Sequence, residues 1–370
     1  MPRPFLYLLA LLAALAAPFA AAAPSSEATR KAFESAADTL VQGYAETENF
    51  SGEVLVAFDG RPVFRKAYGW ADRTWNIPSR PGAVYRIGST TKTFTAVAIL
   101  QLVDAGKLSL DASVRTYLPD LPDSYQSITL KHLLSHSSGL PEFLSVTNSF
   151  KKLVRTDRTP DEVLALVRDL PIAFAPGERF QYSNTNYVAL GAIIEKISGV
   201  PYEAYMRDHI LTPLGMTHTG YFDPSIIVPG MAQGYLLEDG RQQNMFYIAP
   251  GMTHASGNLY STADDLLIWD KALHSGHGLG LSENSRTMLF QDNGFGYGLG
   301  IYIDKVAGEP MVGHPGTLPG YLTDYERFVN IPLTVIVLSN SYPTKVEKMT
   351  RELAAQFFKV CGKSQARQVC

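Results

Sequence analysis

The spacing of apolar residues divides the chain into elements. Phe33, Leu40, Val41 and Tyr44 fall in one stripe at helical spacing and predict a helix over 26–46. GEVLVAF and PVFRKAY flank Asp59-Gly60 and predict a hairpin over 52–68. An apolar run then predicts a helix from 89 to about 105, stopped by Gly106. From there to about 294 the pattern is helical, broken by Pro and Gly. Helices are predicted at 130–135, 160–170, 186–198, 202–214 and 262–274, each opening near a capping residue or a proline. Two irregular stretches, 137–159 and 223–252, are expected to be loops walling a cleft.

After 294 the period changes. Short β-type runs at 296–304, 310–314, 320–328 and 333–340 precede a helix over 345–360. Strand signals thus lie at both ends, with helices between. The expected fold is α/β of the α+β kind. An antiparallel sheet built from both ends is flanked by terminal helices, with an all-helical lobe inserted. One domain over 24–370 is expected, with the sheet lobe from 24–90 and 291–370 and the helical lobe from 91–290.

The first 23 residues stand outside this scheme. Arg3 precedes an almost wholly apolar run over 5–17, and Ala20–Ala23 follows. That is the layout of a cleavable secretory signal peptide, and the run is shorter than the ~20 residues of a membrane span. A secreted or periplasmic location is expected. The two cysteines, Cys361 and Cys370, sit at the extreme C-terminus, where a disulfide would staple only a tail.

Composition adds bounds. The 370 residues are 46% hydrophobic and 18% charged, with net charge −3, the balance of a soluble protein with a substantial core. A pI of about 6.3 gives no electrostatic reason to expect nucleic acid. No cofactor is expected. His132 and His136 have i, i+4 spacing, but HLLSH lacks the glutamate of a zinc-protease helix and a third ligand, so no metal is expected.

The candidate chemistry begins at Ser89 and Lys92. Three residues apart on a helix, they share a face, and a lysine beside a serine hydroxyl is one route to a nucleophile without a Ser-His-Asp triad. The same S-x-x-K spacing recurs at Ser149 and Lys152, but in a polar stretch with no apolar helix behind it. Ser89 opens an apolar helix, whose N–H groups and positive dipole end face the hydroxyl. The bland alternative for Ser89 is an N-cap. No G-x-S-x-G elbow occurs in the chain. QYSNTN places Tyr182 and Asn184 in a turn before a helix, and GHPGTLPGY places His314, Gly316 and Thr317 where one strand ends and a turn leads into the next.

S-x-x-K, then Y-x-N, then H-x-G, in this order, resembles the serine β-lactamase and penicillin-binding superfamily. It is most similar to the branch holding class C β-lactamases, D-Ala-D-Ala carboxypeptidase, D-amino-acid peptidases and related esterases. ITLKHLLSHSSGLP, FAPGERFQYSNTNYVALGAIIEKISG, PLGMTHT and GNLYSTADDLLIWDKAL share the resemblance, which runs from about 45 to 358. It implies an acyl-enzyme on Ser89, with Lys92 or Tyr182 as the base, the two titrating as a coupled unit. It implies that Asn184 bonds Lys92 and the substrate, and that the N–H groups of Ser89 and Thr317 hold the oxyanion.

His314-Pro315-Gly316 departs from the K-T-G of class C β-lactamases. Histidine is mostly uncharged at neutral pH, and proline lacks the threonine hydroxyl, so recognition of an anionic group is weakened. Pro315 is expected on the cleft side, with Thr317. The expected activity is hydrolysis of esters or small D-amino-acid peptides. A β-lactamase or carboxypeptidase, and a catalytically idle binding module, are the alternatives. Partners would be small-molecule esters, peptides or β-lactams. Phe143, Tyr260 and Tyr321 are candidate pocket walls.

Overall fold

The computed structural model describes residues 26–147 and 149–363. The expected signal peptide and Cys370 lie outside the described residues. Helix α1 (Ser26–Thr47) leads into the hairpin β1 (Gly52–Phe58) and β2 (Arg61–Tyr68). The chain then enters the helical part through α2 (Thr91–Asp104), α3 (Asn184–Ser198), α4 (Pro250–Gly257) and α5 (Ala263–Ser275). It returns to the sheet as β3 (Tyr302–Val306), β4 (Glu309–Gly313), β5 (Gly316–Leu318), β6 (Tyr321–Phe328) and β7 (Leu333–Ser339), and closes with α6 (Val346–Cys361).

The sheet order is β3-β4-β6-β7-β1-β2, antiparallel throughout. The first hairpin and the last strands, almost 300 residues apart, meet at the β1–β7 pairing, where Val54 lies opposite Val337. Both strands read as continuous apolar runs because both faces of the sheet are covered. Val54, Val56, Val335 and Val337 pack with α1 and α6 on one face. Leu55, Ala57, Ile336 and Leu338 join the core of the helical part on the other. Alternation of side chains along each strand puts one strand into two cores. In α6, Met349, Leu353 and Phe357 recur at four-residue spacing and are fully buried.

Helix α2 runs through the middle of the second core. Nearly every residue from Thr91 to Leu100 is buried, which is why its sequence is apolar all round rather than striped. Trp269 of α5 stacks on Phe94 with ring centroids 3.9 Å apart, and its Nε1 donates to Thr93 Oγ1 at 3.0 Å. At the next residue, the carboxylate of Asp270, also fully buried, ties α5 to the sheet. It accepts from Tyr325 Oη at 2.8 Å, Arg327 Nη1 at 2.9 Å and Thr334 Oγ1 at 2.6 Å.

Short strands that the apolar pattern does not announce lie in the middle of the chain. Tyr85–Arg86, Leu259–Ser261 and Gly220–Tyr221 form a small antiparallel sheet, and Tyr235–Glu238 pairs with Arg241–Asn244. They are two to four residues long, too short to show a period. The stretch expected to be irregular over 223–252 therefore contains a hairpin and the first turn of α4.

Asp270 concentrates three hydrogen bonds on one buried carboxylate, so Asp270→Ala is expected to cost about 3 kcal/mol by leaving the Arg327 charge without a carboxylate. Urea unfolding followed by circular dichroism checks this, and an unchanged midpoint would refute it.

Candidate active site

Ser89 lies in a single tight helical turn, Gly88–Thr90, that feeds directly into α2. Gly88 has φ +51°, and a Cβ there would sit 2.8 Å from the Thr317 nitrogen. A Cβ on Gly316 would come within 1.9 Å of the Ile87 carbonyl oxygen. The two glycines thus let β5 lie directly against the serine turn, and Thr90 Oγ1 fastens the pair by donating to the His314 carbonyl at 3.0 Å. Ser89, Asn184 and Thr317 line one cavity of about 90 Å³.

Lys92 sits one turn into α2, fully buried. Its Nζ has three partners: Asn184 Oδ1 at 2.9 Å, the Ser256 carbonyl at 2.7 Å and Ser89 Oγ at 3.1 Å. The first two are oxygens that only accept. They fix two N–H directions and leave the third along the line to Ser89, whose hydroxyl both donates and accepts. Among the described residues no carboxylate touches the ammonium. Burial therefore lowers its pKa to about 7, opposed only by the more distant charge of Glu142. Near neutral pH the amine is available in neutral form.

Tyr182 lies two residues before α3. Its ring faces Lys92, with Nζ 4.8 Å from the ring centroid, and its phenol is hydrogen-bonded to Ser89. Burial holds that phenol well above its ordinary pKa. Ser183, the N-cap of α3, makes no side-chain cap bond. The first N–H of α3 is instead taken by Glu142 Oε2, which accepts from Asn184 N at 2.5 Å and from Asn184 Nδ2 at 3.1 Å. Donating Nδ2 to Glu142 turns Oδ1 toward Lys92.

Glu142 was not legible as a site residue. It stands in the irregular 137–159 stretch, where nothing in the pattern distinguishes it from a surface acid. Helix α4 is the second feature that sequence reasoning missed. It breaks at His254, with φ +29° and ψ −128°, and the following carbonyls turn toward α2. Ala255 O accepts from Thr95 Oγ1 at 2.7 Å, beside the Ser256–Lys92 bond. Pro250 at the first turn was the available signal for this helix.

His314 is not a wall of the Ser89 cavity. It is buried among Tyr182, Tyr297 and Tyr302. Its Nδ1 donates to the Pro315 carbonyl at 2.6 Å, so Nε2 accepts from Tyr297 Oη at 3.0 Å. Burial lowers its pKa to about 3, which keeps the ring neutral. His314 thus supports Tyr182 from behind. Pro315 likewise lines a separate cavity and not that of Ser89. The ladder is unbroken in register across it, with Gly313 opposite Glu326 and Gly316 opposite Thr323. Of the candidate walls, Phe143 lines the Ser89 cavity. Tyr321 is a core residue donating to the Ala232 carbonyl, and Tyr260 lines a larger cavity of about 1000 Å³ beyond α4, which lacks Ser89 and Lys92.

The other spacing matches also resolve. Ser149 precedes a four-residue helix, Phe150–Leu153, with Lys152 exposed. The Nδ1 atoms of His132 and His136 accept from the N–H groups of Thr129 and Ser183 at 3.2 Å each.

The fold and this serine–lysine–tyrosine–asparagine cluster are of the serine β-lactamase and penicillin-binding superfamily type. The profile of the Beta-lactamase family matches residues 37–357, and the chain belongs to that family. It is 33% identical over 281 residues to "Putative penicillin-binding protein PbpX" of Bacillus subtilis (strain 168), covering 76% of this chain and 68% of the relative. The octameric penicillin-binding protein homologue from Pyrococcus abyssi superposes with TM-score 0.80 at 30% identity, covering 90% of this chain and 78% of that one. A D-stereospecific amidohydrolase from Streptomyces sp. superposes with TM-score 0.70 at 25% identity, covering 89% and 98%.

Because the Glu142 charge holds the Lys92 pKa up, Glu142→Gln is expected to lower it below 7. NMR titration with carbon-labelled lysine checks this. Titration of Lys92 in the ordinary lysine range in the unaltered protein would refute the site electrostatics.

Proposed function

We propose that the chain is a serine hydrolase that forms an acyl-enzyme on Ser89 and hydrolyses esters or small D-amino-acid amides and peptides. The observation that carries this reading is the Lys92–Ser89 contact of 3.1 Å, made by a fully buried lysine whose other bonds go to acceptors only. In this reading neutral Lys92 takes the Ser89 proton as the oxygen attacks a carbonyl carbon. Tyr182, kept protonated by burial, donates its phenolic proton toward the leaving group and regains one from the Ser89–Lys92 side. Lys92 is then the base and Tyr182 the relay. The N–H groups of Ser89 and Thr317 receive the oxyanion, each worth ~3 kcal/mol of barrier. Deacylation repeats the sequence with water.

The cavity supports the substrate class. Its wall includes Phe143, Leu144, Val154, Ile248 and Met252, with Thr253, Ser256 and Thr317 as hydroxyl groups, and no charged side chain. A small uncharged acyl group suits that surface, whereas a carboxylate placed there would be desolvated without a partner. His314, neutral and turned away, does not supply the missing cation. This favours esters and amides over β-lactams and peptides ending in a carboxylate. The likeness to the D-stereospecific amidohydrolase supports an amide substrate of D configuration. The N-terminal charge and apolar run support export to the periplasm or beyond.

A panel of p-nitrophenyl esters, D- and L-amino-acid amides and nitrocefin tests the reading. Ester or D-amide hydrolysis is expected, with little nitrocefin turnover and a loss of at least about a thousandfold in Ser89→Ala. Rapid nitrocefin turnover without ester or amide hydrolysis, or activity surviving in Ser89→Ala, would overturn it.

A further inference from the structure

A second cavity, of about 510 Å³, lies at the edge of the sheet between β3, β4, β6 and α6. Its floor is made by Asp324 and Glu326. Two apart on β6, they point to the same face, toward α6. Both are almost fully buried, at 1% and 3% exposure. Asp324 Oδ2 and Glu326 Oε2 have no hydrogen-bond partner. Unpaired buried carboxyl oxygens in a β-strand are costly and call for a donor.

The protein supplies it only in part, through the Thr350 hydroxyl at Asp324 and the Arg351 guanidinium at Glu326. Arg351 is the one guanidinium in the lining, against the four carboxyls of Asp304, Asp324, Glu326 and Glu347. It is drawn to the rim by Asp304, bonding Oδ2 through Nη2 at 2.9 Å, and its Nε stays 3.4 Å from Glu326 Oε1. The other walls include Phe295, Ile303, Met311, the ring of Tyr302 and the neutral His314. Among the described residues no group of three or more His, Cys, Asp or Glu converges as metal ligands would. An acidic floor under apolar walls matches a cationic head on a hydrocarbon body.

We propose that the Asp324–Glu326 cavity is a binding site for a small primary ammonium ion carrying an apolar group, separate from the Ser89 cavity. The ammonium lies over the Asp324 and Glu326 carboxyls, and the hydrocarbon part lies on Met311 and Phe295. Burial raises Asp324 to about 7 and Glu326 to about 9; the Glu347 charge adds to the Asp324 shift and the Asp324 charge to that of Glu326, while Arg351 opposes both. The floor therefore holds a proton at neutral pH, and an entering ammonium displaces it. Of the other groups facing the floor, His314 is neutral, the Tyr302 phenol is held at about 12, and Arg351 is charged. Affinity accordingly rises from pH 7 to pH 9, by up to about tenfold per unit, while the ligand amine stays protonated.

Isothermal titration of the full chain with n-butylammonium chloride, in two buffers of different ionisation enthalpy, tests this. Saturable binding with net proton release is expected. It should strengthen toward pH 9, persist in Ser89→Ala, and weaken about tenfold or more in Asp324→Asn or Glu326→Gln. The neutral isostere n-butanol, titrated into the unaltered protein, should not bind, which keeps the test decisive if a variant fails to fold. No saturable heat, equal binding of butanol, binding of calcium in place of the amine, absence of proton release, or unchanged affinity in the folded variants would overturn the proposal.

Discussion

A lysine ammonium buried without a carboxylate partner is the constraint on which this structure turns. An uncompensated cation in a core costs several kcal/mol unless its protons find acceptors or it gives one up. Here the lysine does both. Asn184 Oδ1 and the Ser256 carbonyl take two N–H groups, and burial brings the pKa to about 7, so the third direction is free to exchange a proton with Ser89. Three helices must converge to do this. Helix α2 carries the lysine, α3 begins at Asn184, and α4 ends in the kinked turn that presents its carbonyls.

The surrounding architecture reads as support for that convergence. Phe94 and Trp269 stack to fix α2 against α5, and Asp270 fixes α5 against the sheet. The sheet in turn delivers β5 to the serine turn, with glycine on both sides of the contact. Glu142 aligns Asn184 and supplies a modest opposing charge. His314 keeps Tyr182 in a dry, neutral aromatic setting. The sheet face that holds Thr317 to the serine turn is thus organised for chemistry, while the face toward α6 carries Asp324 and Glu326, each with one carboxyl oxygen left without a partner.

Much of this was legible in the sequence, for physical reasons that differ between parts. The sheet strands and the terminal helices announce themselves through period, because each buries an extended apolar face. Ser89, Lys92, Tyr182 and Asn184 are brought together as the ordered motifs implied, because short spacings on one helix and one turn leave little freedom. What failed to show was anything that depends on where a loop folds back. Glu142 lies in a stretch without period, and its partner Asn184 is 42 residues away. The α4 kink is a backbone event at His254 that no residue type signals. His314 and Pro315 were misplaced as cleft residues, since alternation along a strand does not reveal that the chain crosses from one cavity's wall to another between Pro315 and Thr317.

The central claim is that Lys92, neutral near pH 7, activates Ser89. The rate at which a fluorophosphonate labels Ser89, measured against pH, tests it directly. The rate should rise through a single ionisation near pH 7 and then level off, with labelling lost in Ser89→Ala. A rate that is flat with pH, or that climbs only in the ordinary lysine or tyrosine range, would contradict it, and a protein that stays unlabelled at every pH would be an idle member of its family.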